Sequence, residues 1–555
     1  MTLSIDDVAP DRASYRPGDS AIVVVTVTHT GSDIQSYTLV LELLHLHKQI
    51  IRIEQSITMT PGTTKQFQIS ITPPTVVGRG YGIDVALLDG DKQVVVIGSG
   101  ALDVLDHWSQ YPRYGFLSDF APDQPDVSGR CDSLCRYHLN VVQFYDWMWR
   151  HYALLPPSDD FADALGRRLS ITTVRAAIAA VQARGGAALA YGAVYAAEPE
   201  FADLHPELAL FDEESQRISL AGLFYIMNIA PDSPWIPLII AEFAAAVRVL
   251  DFDGIHLDQY GFPKTAYNAG GELVDLSAHF PPLIDAARAA VVAEREEAGV
   301  IFNAVGNWPI ETVAPTTQDV VYIEVWPPDE TYNDLSRLIH EAKRLSGGKP
   351  VILAAYLSPF AAVDVHDAGQ AEAAALLATA IIAANGGSHL LLGEREGILC
   401  DPYYPNYATL RPDFAVHMRH YYDFLVRYEE WLTAPDIDRW NAICALEGAP
   451  YSVDAVAGLV WIIPRCKPDY RIVHLINLVD QDDTNWNSLR TPPKTLYNLN
   501  LRIRDLPPLL NIYVLDPDSI SGRPTLLEAS YTDGNMNLTI AELRTWKTVI
   551  CIVAE

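Results

Sequence analysis

A β-sandwich, a central (β/α)8 TIM barrel and a second β-sandwich are what the sequence predicts, in that order along the chain. Three observations carry this reading. Residues 1–107 alternate apolar and polar side chains with the period of half-buried strands. Residues 108–436 alternate apolar strands with Ala-rich helical stretches about eight times, and residues 437–555 return to strands. A chain of 555 residues also has room for three or four domains of roughly 150 residues each.

The N-terminal unit rests on Val25-Thr26-Val27-Thr28 and Phe67-Gln68-Ile69-Ser70-Ile71. Turn signals punctuate it at Pro17-Gly18-Asp19, Pro61-Gly62 and Asp89-Gly90-Asp91. Short strands so spaced predict an immunoglobulin-like sandwich, serving as a spacer. The barrel strands are expected at 114–117, 140–145, 187–194, 254–258, 300–304, 320–325, 351–356 and 388–393. Helical stretches lie between several of them, at 172–182, 237–249, 281–297 and 371–384. In the last unit Leu499, Leu501 and Ile503 alternate with Asn500 and Arg502, as in a strand with one wet face.

Composition narrows the partners. There are 70 acidic and 39 basic residues, a formal charge of −31, which repels nucleic acid and anionic membranes. The apolar run at 373–384 is too short to span a bilayer and reads as a buried helix. No basic and apolar leader opens the chain, so the expectation is a cytoplasmic protein, or a secreted one whose leader is gone. Nothing in the sequence sets an oligomeric state.

Several motifs fail on inspection. The six cysteines lack a pairing framework, and Cys131 and Cys135 have no further ligands at metal spacing. His340-Glu341 is followed by Arg344 where a zinc helix needs a second His, and the 480–491 acidic loop lacks the Gly and Glu of a calcium loop. No phosphate loop or nucleophile elbow occurs. Neither metal nor organic cofactor is expected.

Barrel chemistry sits where strands end at their C-terminal side. Acids cluster there: Asp119, Asp146, Asp258, Glu324 and Glu394, with Tyr145, Trp147, Trp149, Tyr195, Trp326 and Tyr356 interleaved. A rim of acids and aromatic faces suits glycoside cleavage, in which two carboxyls react and rings stack on sugars. Barrels that bind metals or phosphates can carry the same acids.

Specific stretches sharpen this. Asn140-Val141-Val142-Gln143-Phe144-Tyr145-Asp146-Trp147, followed by Arg150-His151, resembles a signature of glycoside hydrolase family 66, the dextranases and cycloisomaltooligosaccharide glucanotransferases. Phe252-Asp253-Gly254-Ile255-His256-Leu257-Asp258 is similar to the family's nucleophile strand, and Val321-Tyr322-Ile323-Glu324-Val325-Trp326 to its acid/base strand. Leu391-Leu392-Gly393-Glu394, Tyr403-Tyr404-Pro405-Asn406 and Tyr421-Tyr422-Asp423-Phe424-Leu425-Val426 also look like family stretches.

The resemblance, nearer the dextranases, implies a retaining enzyme for α-1,6-glucan, with Asp258 as nucleophile and Glu324 as general acid/base. His256, two residues before Asp258, shares its side of the strand. Trp326, two after Glu324, would lower the local polarity and favour the protonated acid. For retention the two carboxyls should lie about 5–5.5 Å apart.

Asp119, Tyr145, Asp146, Trp147, Tyr195, His256, Trp326, Tyr356 and Glu394 are expected to bind substrate. Competing roles are a loop cap for Asp146, a barrel plug for Trp147 or Trp326, and acid/base for Glu394. His151 and His205 read as ordinary polar residues. The function these features imply is hydrolysis of dextran or isomaltooligosaccharides. Its rivals are intramolecular transglycosylation by a glucanotransferase, and a glucan-binding protein without catalysis. The resemblance implies a long insertion late in the barrel for the transferases, and only about thirty residues lie between 356 and 388.

Overall fold

The computed structural model describes residues 3–124, 126–361, 367–532 and 534–554. At its centre eight strands form one parallel sheet: β1 (Tyr114–Leu117), β2 (Val141–Phe144), β3 (Ala187–Ala193), β4 (Gly254–Asp258), β5 (Gly299–Val305), β6 (Val320–Glu324), β7 (Val351–Ala354) and β8 (Ser388–His389). They neighbour one another in chain order, which is the order of a barrel. Every residue of β1, β2 and β3 is buried, so the strands are mostly apolar with no alternation of wet and dry faces.

Helices cover the sheet. Tyr332–Ser346 starts on a capping box between Thr331 and Asp334 and stops at Gly347, whose φ of 72° is left-handed. Leu335, Leu338, Ile339 and Ala342 form its buried stripe. Ala368–Ala384 is buried almost all round, which accounts for its lack of a polar face. Among the described residues no helix is long and apolar enough to cross a membrane.

The eighth strand is shorter than expected: its ladder with β7 ends at His389. No described ladder joins β8 to β1. The two ends meet instead through the turn after β8, where the Ser118 backbone N–H and hydroxyl donate to Glu394 Oε1 at 2.9 and 3.0 Å. Arg130 Nη1 donates to Glu394 Oε2 at 2.9 Å. Glu394 is 0% exposed. Its expected task of binding a sugar hydroxyl is corrected by this burial: the carboxylate staples the first strand to the last.

Antiparallel sheets flank the near-barrel. Before it, Leu3–Pro10, Ala21–His29 and Thr63–Ile71 form three strands, and Gln35–His45, Lys48–Met59, Arg79–Leu88 and Val94–Val104 form four. Val23, Val25, Leu41 and Ile83 fill the space between them. After it, strands including Val460–Lys467, Tyr470–Asn477 and Trp546–Val553 face a sheet containing Leu496–Arg504 and Asn535–Leu543. Leu499, Leu501 and Ile503 are buried there while Asn500 and Arg502 are exposed.

Buried charges tie the N-terminal sheets to the near-barrel. Arg113, just before β1, donates to Asp103 at 2.6 Å and to Glu429 at 3.1 Å. Arg427, at the end of helix Pro412–Arg427, donates to Asp84 at 2.8 Å. Gly80 and Gly82 leave room for that helix end, since a Cβ on Gly80 would overlap the Val426 carbonyl and one on Gly82 the Arg427 guanidinium.

Candidate active site

The site is built across three neighbouring strands. Asp258 ends β4 and Glu324 ends β6, with β5 between them. At about 4.8 Å between neighbours, the backbones of β4 and β6 lie roughly 9.5 Å apart. Asn303 of β5 bridges the gap. Its neighbour Phe302 pairs with Leu257 of β4, which sets Asn303 level with Asp258; across β6 it pairs with Tyr322, two residues before Glu324 on the same side of that strand.

Asn303 Nδ2 donates to Asp258 Oδ1 at 2.8 Å and to Glu324 Oε2 at 3.0 Å. Laid end to end these bonds reach 5.8 Å, the largest separation those two oxygens can have. The N–H bonds of one planar amide diverge by about 120°, which brings the oxygens to about 5 Å.

Further donors fix each carboxyl. Tyr191 of β3 donates its hydroxyl to Asp258 Oδ2 at 2.7 Å, and Tyr356, after β7, donates to Glu324 Oε1 at 3.0 Å. The Gln259 backbone N–H also bonds Asp258, and the Trp326 side chain bonds Glu324. Burial and the nearby Glu324 carboxyl push Asp258 up to about 7, against the pull of these donors. Burial raises Glu324 as well. Two acids this close titrate as a pair.

Beneath them lies an aromatic floor. His256 Nδ1 bonds the Tyr114 hydroxyl at 2.9 Å, and its ring lies 4.8 Å from that of Tyr322 at 87°. Burial holds the imidazole neutral, with its pKa down at about 3. Tyr145 stacks on Tyr404 at 4.3 Å. A cleft of about 230 Å3 opens beside Asp258's partner Tyr191, lined by Tyr145, Asp146, Trp149, His151, Tyr191 and Tyr260, among others. Asp146 has a left-handed φ of 50°, and its carboxylate lies 3.4 Å from Arg167. Among the described residues no group of three or more His, Cys, Asp or Glu is arranged to hold a metal ion.

The family can now be stated from comparison. The sequence profile described as Glycosyl hydrolase family 66 matches residues 10–550. The chain belongs to glycosyl hydrolase family 66. This family 66 chain is a glycosidase-type enzyme, as the motifs at 140–147, 252–258 and 321–326 indicate.

It is 25% identical to a cycloisomaltooligosaccharide glucanotransferase of Niallia circulans over 701 aligned positions, covering 98% of this chain and 71% of that protein. It is 22% identical to a dextranase of Streptococcus salivarius over 470 positions, covering 72% and 56%. A crystal structure of a Paenibacillus sp. cycloisomaltooligosaccharide glucanotransferase, complexed with cycloisomaltoheptaose, superposes with a TM-score of 0.91 at 24% identity, over 99% of both chains. That likeness establishes a common fold.

Within the family 66 site, the sequence-predicted residues divide. Asp258, Glu324, Tyr356 and His256 converge with the aromatic floor, and Tyr145 and Asp146 line the cleft. Trp326 is 38% exposed beside Glu324. Asp119 lies on the rim, engaged by Gln124 and by Arg395 at 3.4 Å.

Two other expectations are corrected. Trp147 is 0% exposed, donates its indole N–H to the Tyr191 carbonyl at 3.1 Å and packs on Phe252, so it belongs to the wall and offers no stacking face. Tyr195 is likewise enclosed; its hydroxyl donates to the Phe262 carbonyl at 2.9 Å and shapes the loop after β4. His151, read from the sequence as an ordinary polar residue, is buried against Glu198 at 2.9 Å and lines the cleft. His205 is exposed beside Glu207.

Sequence reasoning missed Asn303, Tyr191, Tyr260 and Tyr404. One signal was present. Asn303 is the only polar side chain in β5 (Gly299–Val305), and Tyr191 the only one in β3 (Ala187–Ala193). A lone polar group in a buried strand needs a partner.

Proposed function

We propose that the enzyme hydrolyses α-1,6-glucosidic bonds of dextran or isomaltooligosaccharides with retention, by double displacement. Asp258 attacks the anomeric carbon as Glu324 gives its proton to the departing glycosidic oxygen, leaving a glycosyl ester on Asp258. Glu324 then takes a proton from water, the water oxygen bonds the anomeric carbon, and the ester bond breaks to regenerate Asp258.

The observation that carries this is the amide of Asn303 touching both carboxyls, with at most 5.8 Å between the bonded oxygens. An inverting pair needs about 6.5–9.5 Å to admit water between the acids. The α-1,6 linkage is supported by the family and by the relatives named dextranase and cycloisomaltooligosaccharide glucanotransferase.

Two observations favour a second reading, a cyclising glucanotransferase in which a sugar hydroxyl takes the place of water: the name of the Niallia relative and that of the structural neighbour. Against it, the alignment runs over 701 positions where this chain has 555 residues, so that relative holds segments without a counterpart here.

Incubation with dextran, beside a starch control, separates the readings by mass spectrometry. Hydrolysis gives linear isomaltooligosaccharides, each one water heavier than the ring of the same length. Rings would establish the transferase. If neither polymer yields products, the reading of a catalytic dextran-active enzyme fails.

A further inference from the structure

Asn303 is placed by more than proximity. Turned the other way, its amide would aim a carbonyl oxygen at the ionised Asp258 carboxylate, lone pair against lone pair, so the nitrogen has to face it. Its Oδ1 is buried with no hydrogen-bond partner, so the amide is anchored at its nitrogen end alone, by the two acids.

We infer that Asn303 is a positioning residue that fixes the spacing of Asp258 and Glu324 and donates to whichever of them carries the negative charge. This rests on the reading of that pair as nucleophile and acid/base. Before cleavage the charge sits on Asp258 and the proton on Glu324. As the bond from Asp258 to the anomeric carbon forms, that charge is consumed in the ester, and the proton leaving Glu324 for the glycosidic oxygen puts the charge there. It crosses from one N–H of Asn303 to the other, and no donor has to move. Water addition reverses the transfer.

Other titratable groups facing the pair stay neutral over the working range. Burial pushes the phenols of Tyr191, Tyr260 and Tyr145 well up from β3 and from the loops after β4 and β2. The same holds for Tyr114 on β1, Tyr322 on β6, Tyr356 after β7 and Tyr404 beyond β8. His256 on β4 is neutral above about 3. Asp146 and Asp163, both paired with Arg167, are the other acids lining the cleft, with His151 beside Glu198. The acid limb of activity therefore belongs to Asp258 and Glu324, and a donor lost from both moves it.

Asn303→Ala and Asn303→Ser are assayed on dextran across pH. In Asn303→Ala, kcat should fall about 10²-fold through loosened geometry, with KM changed by less than about threefold. The acid limb of kcat/KM should rise by about one pH unit, because the ionised carboxyls lose a donor. Asn303→Ser keeps one hydroxyl and should fall between Ala and wild type; it carries the test if Asn303→Ala does not fold. An acid limb at the wild-type pH in the folded variants overturns the inference, whatever happens to kcat. Asp258→Asn, measured alongside, separates the two levels. If it keeps wild-type turnover, the catalytic pair is misassigned. If it is inactive while the Asn303 variants titrate as wild type, only the role of Asn303 fails.

Discussion

Asp258 and Glu324 hold each other's protonation in check, and this gives the residue scale its predictions. The Glu324 carboxyl raises Asp258 by charge repulsion. In Glu324→Gln that repulsion is gone, so the pKa of Asp258 falls below about 7 and the acid limb of kcat/KM moves to lower pH. The alkaline limb, set by loss of the Glu324 proton, disappears. An aryl glycoside whose leaving group departs without protonation makes both changes measurable. Asp258→Asn should lose at least about 10³-fold in kcat while oligosaccharide binding, read by calorimetry, stays near wild type. The two acids were legible because each ends a strand whose neighbours in sequence resemble family stretches. Tyr191 and Asn303 were not, because they lie mid-strand and meet the acids only when the sheet sets β3 beside β4 and β5 between β4 and β6. Trp147 misled for a local reason: Asp146, with its positive φ, turns the chain just before it, and strand parity no longer says which way the ring points.

Elements, too, carry more than their secondary structure announces. The eighth strand reads as six residues, yet its ladder is two residues long, and a buried ion pair with the helix Val127–Arg136 does the work of the missing hydrogen bonds. Nothing local in Leu391-Leu392-Gly393-Glu394 distinguishes a carboxylate aimed at substrate from one aimed at Arg130. The distinction lies in the return of the chain to β1. It can be tested, because the roles predict opposite signatures. Glu394→Ala strands the Arg130 guanidinium, which has no other carboxylate partner among its described bonds, and should cost about 3–5 kcal/mol. Thermal unfolding should fall by several degrees, while KM for dextran at 25 °C stays within about twofold of wild type. A raised KM at unchanged unfolding temperature would return Glu394 to the substrate.

On the scale of the whole molecule, the order of sheets, parallel strands and sheets was legible from periodicity alone, because a period of two and a run of apolar strands with helices between look different in any window. What periodicity does not carry is how the units meet. Gly80 and Gly82 sit in a strand buried on both faces from 80 to 85, and the helix end pressed against them explains the missing side chains. Gly82→Val should force the Arg427 guanidinium from its place beside Asp84 and cost about 1–3 kcal/mol. Calorimetry should show the unfolding transition lowered or split, with kcat on dextran little changed. A single transition at the wild-type temperature would mean that the helix end moves aside freely.

The same two glycines bear on how such a chain can be rebuilt. A tethered accessory unit can be exchanged like a cassette, since its linker asks nothing of either neighbour. Here the leading sheets were fitted to one helix terminus, with Arg113 and Arg427 sunk between the parts. A barrel expressed without them would leave Arg427 without Asp84, Arg113 with Glu429 as its one remaining carboxylate, and a naked helix end in water. Variation in this lineage is therefore expected at the cleft rim, on loops such as those after β2 and β4, while the back of the molecule is inherited as one block.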